Sequence, residues 1–237
     1  MISFDDVLNE VRSRFSDRDV YFSIAEIPTG LVVPSDWEGF GAATTEHPSF
    51  PASWYLFAEE LPWVLSLLEV GLLGTGILSG AKLELLYIFH DANGLYYYIG
   101  GQPLNSCSPK DNQAVPFEGK VLEFYRRVHN GFTFFPAQSM GPQNVEDFSC
   151  IADLIDEEDT RFAEKWVTLF SNGAGDYLAI DLASSAEGKG IIWWHEQPLE
   201  PELDVDVFKI MDTWISIFLE DTQPRDNIII PSAGFTA

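Results

Sequence analysis

The chain has 237 residues, 46% of them hydrophobic and 14% aromatic, which is enough to bury a sizeable core and rules out a disordered chain. Its 37 acidic residues against 13 Lys and Arg give a formal net charge of −24. Such a field repels phosphate backbones, so it argues against direct nucleic-acid binding and favours a basic protein partner, although acidity also serves plain solubility.

A first helix is expected over residues 3–15. Ser3 caps it, Asp6 follows three residues later, and Phe4, Val7, Leu8, Val11 and Phe15 fall on one face. The opening "MISFDD" is acidic at once and does not read as a signal peptide. Two short β-like runs, "VYFSI" and "GLVVP", flank a Pro28-Thr29-Gly30 turn, and a long loop is expected over residues 34–53. A second helix is expected from about Ala52 to Val70, interrupted or bent by Pro62.

The run "LPWVLSLLEVGLLGTGILSG" (61–80) is long enough to span a bilayer. A central Glu69 costs about 2.5–3.5 kcal/mol in a membrane, and glycines crowd the second half. The expectation is a buried helix ending near Gly71, then a turn-rich connection, with no membrane partner. Strands over 82–89 and 95–99 form a hairpin around Asp91–Gly94. Residues 101–116 read as a loop.

"FEGKVLEFYRRVHNG" is a helix with Val121, Phe124, Tyr125 and Val128 at helical spacing, stopped by Asn130-Gly131. Residues 145–159 are acidic and partly helical. "WVTLFSNGAGDYLAIDL" reads as two strands around Asn172–Gly175, and "GIIWWHE" as another. A last helix covers Val205–Glu220, with Phe208, Met211, Trp214, Ile215 and Phe218 inward and Asp204 and Asp206 at its positive end. The C-terminal tail is expected to be an edge strand or loose. Residues 145–226 hold 20 of the 37 acids while 81–144 is balanced, so a basic partner is expected on the later part of the chain.

The chemical motifs come out weak. Histidines 47, 90, 129 and 195 are scattered and His195-Glu196 lacks the second His of a zinc helix, so no metal is expected. Cys107 and Cys150 form no disulfide framework and fit a reducing compartment. "AQSMG" (137–141) lies between Pro136 and Pro142, where no nucleophile-bearing helix can start. "GTGILSG" (74–80) lacks the Lys-Ser/Thr ending of a phosphate loop, and Asp156–Asp159 lacks the spaced ligands of a calcium loop. Strand alternation puts Asp176 and Asp181 on opposite faces, so they do not pair as acid and base. No catalytic residue and no cofactor is expected. Asp176, His195 and Glu196 remain the most plausible polar cluster for an alternative hydrolase reading.

"VPFEGKVLEFYRRVHNGF", "LFSNGAGDYLAIDL", "GIIWWHEQP" and the Trp-containing last helix, in that order, resemble the SUKH superfamily, bacterial toxin-immunity proteins related to the fungal cell-wall synthesis regulator. The resemblance covers about residues 115–221. Residues 1–114 stand as an N-terminal elaboration of a single 1–237 domain. It implies an α+β fold with a mixed or largely antiparallel sheet flanked by helices.

It also implies a non-catalytic, cytoplasmic role: binding and neutralising a cognate toxin by stoichiometric contact. Such toxins are secreted polymorphic or type VI effectors, often directed at nucleic acids or nucleotides. A regulatory or scaffold module is the alternative. The acids assigned to the partner face are Asp153, Asp156, Glu157, Glu158, Asp159, Glu196, Glu200 and Glu202.

Overall fold

A computed structural model describes residues 2–42, 49–106, 115–116, 118–156, 160–184 and 188–228. The fold is α+β, with two antiparallel five-stranded sheets. The first contains β1 (Asp19–Tyr21), β2 (Gly74–Ser79), β3 (Leu83–Asp91), β4 (Gly94–Gly101) and β5 (Phe132–Phe135), in that spatial order. The second contains β6 (Gly141–Pro142), β7 (Trp166–Ser171), β8 (Tyr177–Asp181), β9 (Lys189–Trp193) and β10 (Glu202–Asp206), ordered β10-β9-β8-β7-β6. The turn between β5 and β6 joins them, with Phe134 bridged to Ser139.

The helices follow the expected punctuation. α1 (Phe4–Arg14) starts at Ser3, whose side chain accepts from the Asp6 N–H while Asp6 accepts from Ser3 in return. α2 (Pro62–Gly71) is separated from the 3-10 helix Ala52–Phe57 by a short turn and begins on Pro62, because proline fits the first helical turn but not a helix interior. α3 (Gly119–Arg127) and α4 (Val207–Phe218) complete the set. Among the described residues no helix is long and apolar enough to cross a membrane.

One cluster of buried side chains links both sheets. Tyr87 and Tyr98 of the first sheet and Phe170 and Leu178 of the second share it with Leu68, Phe124 and Met211 from the three later helices. The outer face of the first sheet packs on Val7 and Val11 of α1 and on Phe15 just after it. The outer face of the second is covered by the irregular segment around Ile151, Ile155 and Ala163.

Four local expectations change. The glycine-rich 74–79 run is strand β2, paired on both sides by β1 and β3, not a turn-rich connection: a Cβ at Gly76 would come within 2.9 Å of the Phe22 ring, so the glycine serves close packing. "GLVVP" forms no strand, and Val32 stays exposed beyond a turn at Gly30, whose φ is +101°. Residues 202–206 form edge strand β10 rather than the start of the last helix. Asp206 does cap α4, accepting from Lys209 N–H at 3.0 Å, but Asp204 does not; it sits at φ +58° where β10 slips register against β9. That irregularity, with acids at 202, 204 and 206, keeps the exposed edge from pairing with another strand.

Candidate functional site

The polar stretch 172–176 and 195–196 lies at one end of the second sheet. The turn between β7 and β8 is built by Asn172, whose Oδ1 accepts from the N–H groups of Ala174 (2.8 Å) and Asp176 (3.1 Å). Gly173 and Gly175 supply φ values of +83° and +100°, which L side chains adopt only with strain. Asp176 then closes the turn onto the end of β9. Its Oδ1 accepts from the backbone N–H of His195 at 3.0 Å and from the His195 ring Nδ1–H at 2.8 Å, and its Oδ2 accepts from Asn172 Nδ2 at 2.7 Å.

Desolvation raises the pKa of the Asp176 carboxyl, but the hydrogen bonds from His195 and Asn172 outweigh it and hold the group below the ordinary carboxylate range. In the neutral ring, donation from Nδ1 to Asp176 leaves Nε2 of His195 as the acceptor, on a side chain 45% exposed. An imidazole oriented by a carboxylate is half of a general-base arrangement. Glu196 does not join it: it stands exposed in the following turn. Asp181 lies at the other end of β8, with Oδ1 accepting from Ala183 N–H. Tyr177 and Ala179 face one core cluster while Leu178 and Ile180 face the other, so the expected strand alternation holds.

The remaining assigned acids stand on separate elements. Asp153 is exposed on a 3-10 turn over the outer face of the second sheet, with Asp156 exposed just beyond it. Glu200 is exposed in the β9–β10 connection, and Glu202 opens β10 and accepts from Trp194 Nε1 at 3.2 Å. Glu157, Glu158 and Asp159 lie outside the described residues. Among the described residues no group of three or more His, Cys, Asp or Glu could hold a metal ion.

A second polar constellation, not foreseen from sequence, is sealed in the core. Trp54 Nε1–H donates to Tyr87 Oη at 2.7 Å, Tyr87 O–H donates to His129 Nε2 at 2.7 Å, and His129 Nδ1–H donates to Gly101 O at 3.1 Å. The tyrosine has one proton and already accepts from the indole, so this direction is the one that satisfies every group. Burial pushes the His129 pKa down to about 3 despite the Gly101 carbonyl, so the ring is neutral. The chain of bonds ends in backbone and has no exposed member, so it is a structural device.

The Asn130-Gly131 pair is structural as well: Asn130 Oδ1 accepts from Val145 N–H at 2.9 Å, and a Cβ on Gly131 would overlap Asn144. The tryptophan that does face solvent is Trp63 on α2, 69% exposed. The sequence signal for it was a helix whose outer side has only Ser66 and Glu69 as polar residues. Compared with known proteins, the chain matches no family model, no curated protein and no solved structure.

Proposed function

We propose that this protein is a cytoplasmic immunity protein of SUKH type, which binds a basic toxin stoichiometrically and blocks it. The toxin class is a secreted polymorphic or type VI effector directed at nucleic acids or nucleotides. The observation that carries the reading is the acidic second half: 20 of 37 acids lie in residues 145–226, and Asp153, Asp156, Glu196, Glu200 and Glu202 are all exposed there. An enzyme that grips phosphate presents cations, and an acidic inhibitor offers them an alternative to the nucleic acid.

The test is capture of the partner from the native lysate at low and high salt, followed by expression of that partner alone and with this protein. A single basic partner, lethal alone and harmless when co-expressed, is the expected result. A partner harmless on its own overturns the immunity reading in favour of a scaffold.

A second reading, a hydrolase, draws on the Asp176-oriented His195 with its free Nε2. It requires a substrate whose turnover is lost in His195→Ala with the fold intact.

A further inference from the structure

α2 carries apolar residues on both sides. Val64, Leu65 and Leu68 are buried, yet Trp63 is 69% and Val70 51% exposed, with Leu67 half-buried beside them. Only Ser66 and Glu69 make the outer side polar, and a helix this apolar is ordinarily covered over more of its surface. Between its outer face and α4 runs a groove of about 510 Å³, lined by Trp63, Ser66, Leu67, Ser216, Ile217 and Glu220, with Ile217 itself 50% exposed.

The walls are fixed to one another. α2 has no cap of its own, and Asp212 of α4 provides one, accepting from the N–H groups of Trp63 at 3.1 Å and Val64 at 2.9 Å. A rigid concave site with a projecting indole is how interface hot spots are built.

Charge decides the occupant. Glu220 is in the groove wall, Glu69 stands on the outer side of α2, and Glu59 and Asp221 are exposed just beyond the two helices. α2 has no Lys or Arg, and α4 has only Lys209. A second copy would bring net −24 against net −24, and an anionic lipid surface would be repelled in the same way. We infer that the α2–α4 groove is the apolar anchor point for a cationic protein segment, one that seats a large apolar side chain between Trp63 and Ile217 and sets flanking Lys or Arg against Glu220 and Glu69. The site stands on its own geometry. That the segment belongs to a toxin rests on the proposed function.

The experiment titrates the full-length protein with short synthetic amphipathic helices bearing one Phe/Leu stripe flanked by Lys and Arg. Control peptides carry the same stripe flanked by Glu. The readouts are the backbone amide resonances of Ser66, Leu67 and Ser216, which every variant retains, with the Trp63 indole N–H, assigned with Trp63→Phe, as a further probe where Trp63 is present. Saturable shifts with the cationic set only, weakened at least tenfold by Trp63→Ser, by Ile217→Asp and by raised salt, are the expected result. Trp63 and Ile217 are exposed, so both variants keep the fold, and amide dispersion verifies it.

Equal binding of the Glu-flanked set, no saturable shift, or concentration-dependent self-association abolished by Trp63→Ser each overturns the proposal, the last in favour of a second copy. If a lethal partner is neutralised equally by Trp63→Ser and by the wild type, the groove is wrong while the immunity reading stands. If the groove binds cationic helices but co-expression protects against nothing, the immunity reading fails and the groove stands.

Discussion

The two five-stranded sheets share a core but differ on their other faces. The first is closed by a capped amphipathic helix, and its inner face carries the aromatic cluster of Trp54, Tyr87, Phe132 and His129. The second is covered by short 3-10 turns and irregular chain, ends in an acidic edge strand, and is tied at one end by the Asp176 turn. Substitutions in that aromatic cluster are therefore expected to cost the most stability. The second sheet presents charge and polar turns whose alteration leaves the fold standing.

The strongest way to break that contrast is in the aromatic cluster packed on the first sheet, where Trp54 comes from the 3-10 helix Ala52–Phe57. Trp54→Ala removes a fully buried indole and leaves the Tyr87 hydroxyl without its donor. A loss of about 3–5 kcal/mol is expected in chemical denaturation, and a loss under 1 kcal/mol would mean the cluster is not the centre of the core.

Next in size is the pH response of His129. The unfolded chain binds a proton near pH 6.5 that the folded ring refuses until about pH 3. This contribution is intact above pH 6.5 and falls by about 1.4 kcal/mol per unit as the pH drops toward 3. Denaturation curves at pH 7, 6 and 5 measure the slope, and His129→Gln should flatten it.

Smaller effects are expected at the two carboxylates that organise backbone. Asp212→Ala uncaps α2 across the helix pair and should cost about 1–2 kcal/mol, with Asp212→Asn recovering most of it because the amide oxygen still accepts. Asp176→Ala frees the β7–β8 turn from β9 and should cost about 1 kcal/mol. Because the folded pKa of Asp176 is depressed, its contribution is present above about pH 4 and is lost as the pH falls through that lowered value. Amide exchange at 172–176 is the local readout.

The smallest expected effect on stability comes from reversing the exposed acids Asp153, Asp156, Glu196, Glu200 and Glu202 to Lys, within about 0.5 kcal/mol of the wild type. The same variant should slow association with a basic partner and reduce its salt dependence in surface-binding kinetics. Unchanged kinetics would remove those acids from the partner face.

The local residues carried much of the fold and little of the site. The β3–β4 hairpin around Asp91–Gly94, the Ser3–Asp6 capping box, Pro62 at the start of α2 and the Asn172–Gly175 turn all follow from short-range chemistry, and each lies where its residues placed it. Asn130-Gly131 and Asn172–Asp176, which lie within two of the segments that carry the resemblance, are such locks. They specify backbone geometry and say nothing of a partner.

Strand β2 was hidden because glycine signals a turn when read along the chain and a close contact when Phe22 lies across it. The charge, the periodicity of the helices and the turn chemistry are properties of the sequence itself, because they depend on neighbours a few residues away. Only the tertiary structure decided which tryptophan is exposed, which acid caps a distant helix, and which histidine is sealed neutral in the core. Burial depends on what the chain brings together across intervals such as the 149 positions between Trp63 and Asp212.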